Sequence, residues 1–296
     1  MKVKVILNPY ANRWGAKKRV QEVRQALQDA GVQFDLTLIP EPRAGTLIAR
    51  EAARGGYDAI VGAGGDGTLN EVLNGLIQAA GDGPTMPFGV FPIGTGNDFS
   101  DMSGLPRELV KAARVVAAGK TRQVDAGRVN DHYFQNNCAV AMEPVVTIEN
   151  EKMTRLSGNI RYLVALVRAL VQLEAFQMKI KWDGGGYEGP VYLLSVCNSP
   201  RTGGIFRMAP QAIMDDGLFD YVFAPEVSKP TVLVILVRLM MAKHLEHPAV
   251  SHGRTRQIHI ESQPDTPIHA DGEVISRGSR LVHYQILPGK ITLLSL

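Results

Sequence analysis

Along the first hundred residues, short apolar runs alternate with segments whose apolar residues recur at helical spacing. Val3–Asn8, Phe34–Ile39, Tyr57–Val61 and Phe88–Pro92 predict strands, and Lys17–Ala30, Thr46–Arg54 and Leu69–Ala80 predict helices. The first helix carries Val20, Val23, Leu27 and Ala30 on one side and stops at Gly31, a residue that readily ends helices. Strands that are apolar throughout, joined by helices, predict a parallel sheet covered on both faces.

After Gly119 the rhythm changes. Gln123–Val129 and His132–Met142 predict a hairpin turning at Asn130-Asp131, and strands recur at Met178–Trp182 and Val191–Asn198, with the run Asp183–Gly189 read as a turn. Two helices interrupt this β-rich part, Ile160–Phe176 and Pro230–His244. Each is apolar over much of its circumference with arginines along it, which fits core helices or a membrane-surface contact. The expected fold is α/β: an N-terminal doubly wound domain over 1–121, with 284–296 a candidate addition, and a β-rich domain over 122–283.

Composition changes little. The 296 residues, 45% hydrophobic and 21% charged, describe an ordinary folded chain and exclude a disordered or collagen-like one. A net charge of +3 is far from that of a nucleic-acid binder, so no nucleic-acid partner is expected. The two cysteines, Cys138 and Cys197, lack metal or disulfide-framework spacing and suit a reducing, cytoplasmic setting. The opening MKVKVILNPYAN reads as a strand, not as a signal peptide. The longest apolar run, Thr231–Ala242, contains Arg238 and is shorter than the roughly 20 residues that span a bilayer.

Chemistry concentrates in Ala59–Glu71, where a buried strand meets Gly62, Gly64, Gly65, Asp66, Gly67 and Thr68 before a helix. Glycines expose backbone N–H groups, and a helix N-terminus adds unpaired donors, so phosphate is the natural ligand. Gly62, Gly64 and Gly67 satisfy the dinucleotide fingerprint G-x-G-x-x-G, but they follow the third strand, and the next strand ends at Pro92 without an acid for a ribose. Asp66 would repel pyrophosphate unless a metal stood between them, which points to magnesium and a nucleoside triphosphate. The P-loop and protein-kinase motifs are absent from the sequence. A second glycine-rich run, Phe91–Phe99, also follows a strand and also carries an acid, Asp98. The two loops should lie side by side at the carboxyl edge of the sheet.

Gly64-Gly65-Asp66-Gly67-Thr68 together with Pro92-x-Gly94-Thr95-x-Asn97-Asp98-Phe99 resembles the diacylglycerol kinase catalytic domain shared by bacterial diacylglycerol kinases, YegS-type lipid kinases and sphingosine kinases. Val124-Asp125-x-Gly127-x-Val129-Asn130, Ala209-Pro210-x-Ala212-x-x-Asp215-Asp216-Gly217-x-Phe219-Asp220 and Asp271-Gly272-Glu273 extend the resemblance in family order over nearly the whole chain. It implies a doubly wound domain beside a C-terminal β-sandwich, and an ATP- and Mg2+-dependent transfer of the γ-phosphoryl group to a hydroxyl of a diacylglycerol-like lipid. By motif, Asn8, Asn12, Gly64, Gly65, Asp66, Gly67, Thr68, Asn70, Gly94, Thr95 and Asn97 would line the nucleotide site. Asp66, Asp98 and Asp125 would belong to a carboxylate, water and magnesium network. Asp216 with the backbone of Leu218 would match a structural metal site, and Glu273 the general base.

The chain departs from the family at Ala139, Ala141 and Glu143, where relatives usually carry two glycines and an aspartate. Two rivals stay in view: an NAD kinase-like phosphotransferase, which shares the glycine loop, and a nucleotide-binding regulatory protein without turnover, which these three changes motivate. His244 and His247 read as a solvated helix cap, and Arg13, Lys17, Lys18 and Arg19 as a solvated face or a phosphate contact. The acceptor's insolubility implies peripheral membrane association through the two apolar helices, with Arg161 and Arg168 meeting anionic headgroups. A homodimer is a further open expectation.

Overall fold

The computed structural model describes residues 1–11, 15–153 and 158–296. The chain divides into two compact units: Met1–Ala126 with Met214–Gly217 and Leu287–Leu296, and Gly127–Ile213 with Leu218–Ile286.

In the first unit, β1 (Lys2–Leu7) is followed by α1 (Gly15–Lys18) and α2 (Val20–Asp29), then β2 (Gln33–Leu38), α3 (Ala44–Ala52), β3 (Ala59–Gly64), α4 (Asp66–Ala80) and β4 (Phe88–Pro92). Next come α5 (Asp98–Met102), α6 (Leu109–Ala118) and the start of β5 (Thr121–Val129). β1 pairs in parallel with β2 on one side and β3 on the other, and β3 pairs in parallel with β4. The order β4-β3-β1-β2 therefore reverses between β1 and β3, and ligands of open α/β sheets sit at that kind of switch point. Every residue of β3 and β4 is buried, as expected for strands covered on both faces.

The remaining elements are β6 (His132–Phe134), β7 (Asn137–Ala141), α7 (Met142–Glu151), α8 (Gly158–Val171), β8 (Phe176–Trp182), β9 (Gly185–Cys197), β10 (Phe219–Pro225), α9 (Lys229–Met240), β11 (Ser251–Thr255), β12 (Gln257–Ala270) and β13 (Glu273–Leu294). In the second unit the long strands β9 and β12 pair antiparallel with β7 at one end and with β8 at the other. β11, β10 and β9 continue one side and β13 the other. The core between them holds Phe134 stacked on Phe219 at 5.6 Å and edge-on to Tyr284 at 6.3 Å. The family-like glycine Gly127 lies opposite Phe134 in the β5–β6 pair, and any Cβ there would overlap the Phe134 ring. The last residues of β13 belong to the first unit, where Leu293 pairs in parallel with Phe88.

The elements differ from the periodicity reading at definite places. The first helix breaks at Arg19, and α4 starts three residues before Leu69, with Gly65 as N-cap. α6 and α7 lie outside the helices that periodicity gives; α6 ends at Gly119, φ 66°, as a C-capping glycine does. The glycines of the expected turn after Asp183 enter β9, which starts at Gly185. Phe176 opens β8 instead of closing α8.

Candidate active site

The carboxyl ends of β3 and β4 bring the two glycine loops together. The Gly64 carbonyl accepts from the N–H groups of Ile93 and Gly94, both at 3.1 Å. A Cβ on Gly94 would overlap Gly65 Cα and stand 2.7 Å from Gly65 N, and one on Gly64 would overlap the Thr68 side chain. These glycines serve loop-on-loop packing before they serve any ligand. Asn97, at φ 56°, closes the second loop by accepting from Gly94 N–H and donating to Gly94 O, each at 3.1 Å.

Asp66 occupies the first turn of α4, where the helix dipole favours an acid. Its Oδ1 accepts from Phe99 N–H at 2.9 Å, so the carboxylate of one loop caps the short helix that leaves the other. Burial pushes the Asp66 carboxyl above its ordinary range, with the Asp98 charge adding to the rise; main-chain N–H groups of Phe99 and Asp98 oppose it. Across the switch point, Asn8 at the end of β1 donates from Nδ2 to Thr68 Oγ1 at 3.0 Å and accepts from Tyr10 N–H at 2.9 Å.

Of the other expected nucleotide residues, Gly67 is half-buried in the same turn and Thr95 is exposed on the loop. Asn70 lies inside α4 and is buried, accepting from Asn74 Nδ2 at its carbonyl and side-chain oxygens. Asn12 and Arg13 lie outside the described residues, as does the Lys17 side chain. Arg107, which no motif singles out, donates to Gly96 O at 3.2 Å and pairs with Asp101, bracing the second loop. Glu71, the last residue of the first motif, accepts from Arg43 and Gly45 N–H and holds the start of α3.

Asp125 is buried and uses both oxygens on main chain, accepting from Gly217 N–H and Gly289 N–H, each at 2.7 Å. It thereby ties segment 214–217 and the end of β13 into the first unit. Asp216 stands in that tied segment; Leu218 belongs to the second unit. Among the described residues no three His, Cys, Asp or Glu side chains converge as a metal cage.

In the second unit, Asp271 (φ 48°) and Gly272 (φ 86°) turn β12 into β13, with Ala270 paired to Glu273. Asp271 is buried and accepts from the N–H groups of Gln135, Asn136 and Asn137 at 2.9, 2.8 and 3.2 Å. Its role is to lock the turn, and Glu273 stands exposed at the turn's end. Close by in the pairing, α7, β9, β10 and α9 border an apolar groove lined by residues such as Val146, Leu193, Phe206, Leu236 and Leu239 with Glu143 and His244. His244 overturns its expected place as a solvated cap: it is buried, with Nε2 2.8 Å from Met208 O, and burial holds its pKa down. The reason is that the chain leaves α9 at Met240 and folds the next residues back onto the groove, a long-range event that a local pattern does not carry.

Phosphoryl transfer asks a protein mainly for placed donors and charges at the phosphates, and a lipid acceptor adds the need for an apolar recess. The chain supplies both, and the class so defined is lipid kinase. Comparison with known proteins narrows it. The family described as "Diacylglycerol kinase catalytic domain" matches residues 2–129, and "YegS C-terminal NAD kinase beta sandwich-like domain" matches residues 138–295. The chain belongs to the diacylglycerol kinase family that these domains define. It is 29% identical over 274 residues to diacylglycerol kinase of Bacillus subtilis (strain 168), covering 92% of this chain and 89% of that one. Diacylglycerol kinase of Staphylococcus aureus (strain MRSA252) is also 29% identical, covering 92% and 86%. Among solved structures, a Bacillus anthracis str. Sterne protein provisionally named diacylglycerol kinase matches with TM-score 0.82 and 26% identity, covering 100% of this chain and 97% of that one.

Proposed function

We propose that this lipid kinase transfers the γ-phosphoryl group of ATP, with magnesium, to a hydroxyl of a diacylglycerol-like lipid. The observation that carries the reading is the interlock of the two glycine loops through Gly64, Gly94 and the Asp66–Phe99 bond, set at the sheet's switch point. Magnesium takes one or two carboxylates and completes its shell with phosphate oxygens and waters, so a protein cage is not required. Asp66 and Asp98, close enough for one charge to raise the other's carboxyl, fit that donor set and would hold the ion. The ion supplies neutralisation of charge on the phosphates.

The chain's own groups do the rest. Loop N–H groups and the α4 N-terminus position the phosphates, and Asn8, Thr68 and Thr95 border that place. Glu273 takes the proton of the acceptor hydroxyl while the new O–P bond forms and ADP leaves. Asp271 fixes the turn from which Glu273 acts, and Asp125 holds the segment bearing Asp216. The apolar groove takes acyl chain. α9 presents Val232, Ile235, Leu236 and Leu239 to the groove and leaves Leu233, Val234, Val237 and Met240 exposed, so its outer side suits a membrane surface. No described helix is long and apolar enough to cross a membrane. The Arg168 side chain is exposed on α8; that of Arg161 lies outside the described residues.

Labelled ATP offered with diacylglycerol, monoacylglycerol, phosphatidylglycerol, a sphingoid base and NAD, with and without magnesium, tests the reading. Transfer to a neutral glyceride that needs magnesium and vanishes in Asp66→Ala, with the fold retained, is the expected result. Transfer to NAD alone, or unchanged activity in Asp66→Ala, would overturn it.

A further inference from the structure

Glu143 is the second residue of α7 and lines the groove. Its Oε2 accepts from Asn137 Nδ2 at 3.2 Å and lies 3.1 Å from His269 Nε2, with side chains only 12% and 5% exposed for Glu143 and His269. Asn137 is itself fixed, donating to Ser195 Oγ at 3.3 Å and accepting from Thr202 Oγ1 at 2.7 Å. The second carboxylate oxygen, Oε1, and His269 Nδ1 are both buried and bond to no described residue.

Leaving a buried polar atom without a partner is costly, so Oε1 of Glu143, a residue that lines the groove, marks a place that a ligand completes. With Oε2 already taking two donors, Oε1 is an acceptor, and whatever meets it must bring a hydrogen. A hydroxyl brings that hydrogen, while His269 and Asn137 hold the carboxylate in place through Oε2. A phosphate head serves it poorly, because its charge stands against the carboxylate. The surrounding walls are apolar and suit an acyl chain.

We propose that Glu143, oriented by His269, selects the head of the groove's ligand, taking an uncharged hydroxyl-bearing lipid head and refusing an anionic one. The inference rests on the lipid-acceptor reading above. It makes Glu143 a specificity residue and His269 a positioning residue.

Calorimetry on the full chain without nucleotide, using monooctanoylglycerol and octyl phosphate below their micellar concentrations, tests it. The glyceride should bind at least about tenfold more tightly than the phosphate, the size expected of one hydrogen bond to a charged group. Glu143→Gln should bring the two ligands within about threefold of each other, since the remaining hydrogen-bond difference is then one between neutral groups. Leu236→Trp, which fills the groove, should weaken both ligands alike. Should Glu143→Gln fail to fold, His269→Gln carries the same comparison, with the same fall in the ratio expected. Equal or tighter binding of octyl phosphate, a ratio unmoved by Glu143→Gln, or no binding of either ligand would overturn the proposal. Head selection that persists while labelled ATP reaches no lipid would strike the kinase reading and leave this one standing.

Discussion

Two turns show how differently the two units of this chain are built. At the glycine loops of the first unit, Gly94 sits where no side-chain carbon fits, because Gly65 lies against it. At the start of α7 in the second unit, Ala141 carries a Cβ although its φ is 67° and its ψ −117°, a region that suits glycine. The first place is assembled from main chain meeting main chain, and its acid, Asp66, is answered by backbone N–H groups. The second is assembled from side chains, Glu143, His269, Asn137 and Thr202, around an apolar groove. Main-chain sites tolerate little change and recur as motifs. Side-chain sites can be retuned one residue at a time.

The contrast can be broken, or sharpened, by four measurements. The largest effect should come from Glu273→Gln, which keeps size and removes basicity: steady-state turnover should fall by roughly 10²- to 10⁴-fold with ATP affinity retained. A mutant within a few-fold of wild type would take Glu273 out of the chemistry and leave Asp271-Gly272 as a turn alone. Next, Gly94→Ala should cost about 1–3 kcal/mol in urea unfolding, as overpacking does, and should weaken ATP binding by calorimetry. Full stability in that mutant would mean the loops do not interlock as described.

Smaller effects belong to the second unit. Val237→Asp with Met240→Asp alters only the exposed side of α9, so co-sedimentation with anionic vesicles should drop several-fold while stability stays level. Unchanged sedimentation would leave the helix without a membrane role. Smallest is Ala141→Gly. Relief of the left-handed backbone, worth roughly 1–3 kcal/mol, exceeds the 0.5–1 kcal/mol or so of added unfolded-state freedom, so a gain of about 1 kcal/mol is expected in denaturant titration. A loss would show that the Ala141 methyl group packs well enough to offset its backbone.

Much of this was legible beforehand for a local reason. Strand period, helix period and glycine placement act over a few residues, so β4 appeared at its observed bounds and both glycine loops were found with their acids. The cluster Glu143, His269, Asn137, Ser195 and Thr202 does not show in any local pattern, since the bonded pair His269–Glu143 is 126 residues apart in sequence and meets only when β7 enters between β9 and β12. His244 escapes the local pattern for the same reason, since its partner Met208 lies 36 residues away in sequence. Asp271 and Asp125 were noticed as acids, yet their use as clamps on main chain depends on partners far along the chain.

By itself, then, the sequence determined that glycine loops follow strands three and four of a parallel sheet, because glycine, a following helix and a nearby acid are short-range requirements written in consecutive residues. Only the tertiary structure decided which glycines are spent on packing, which acids face main chain and which line a groove. Those outcomes depend on what is excluded from water and what is brought opposite it, and burial is a property of the whole folded chain.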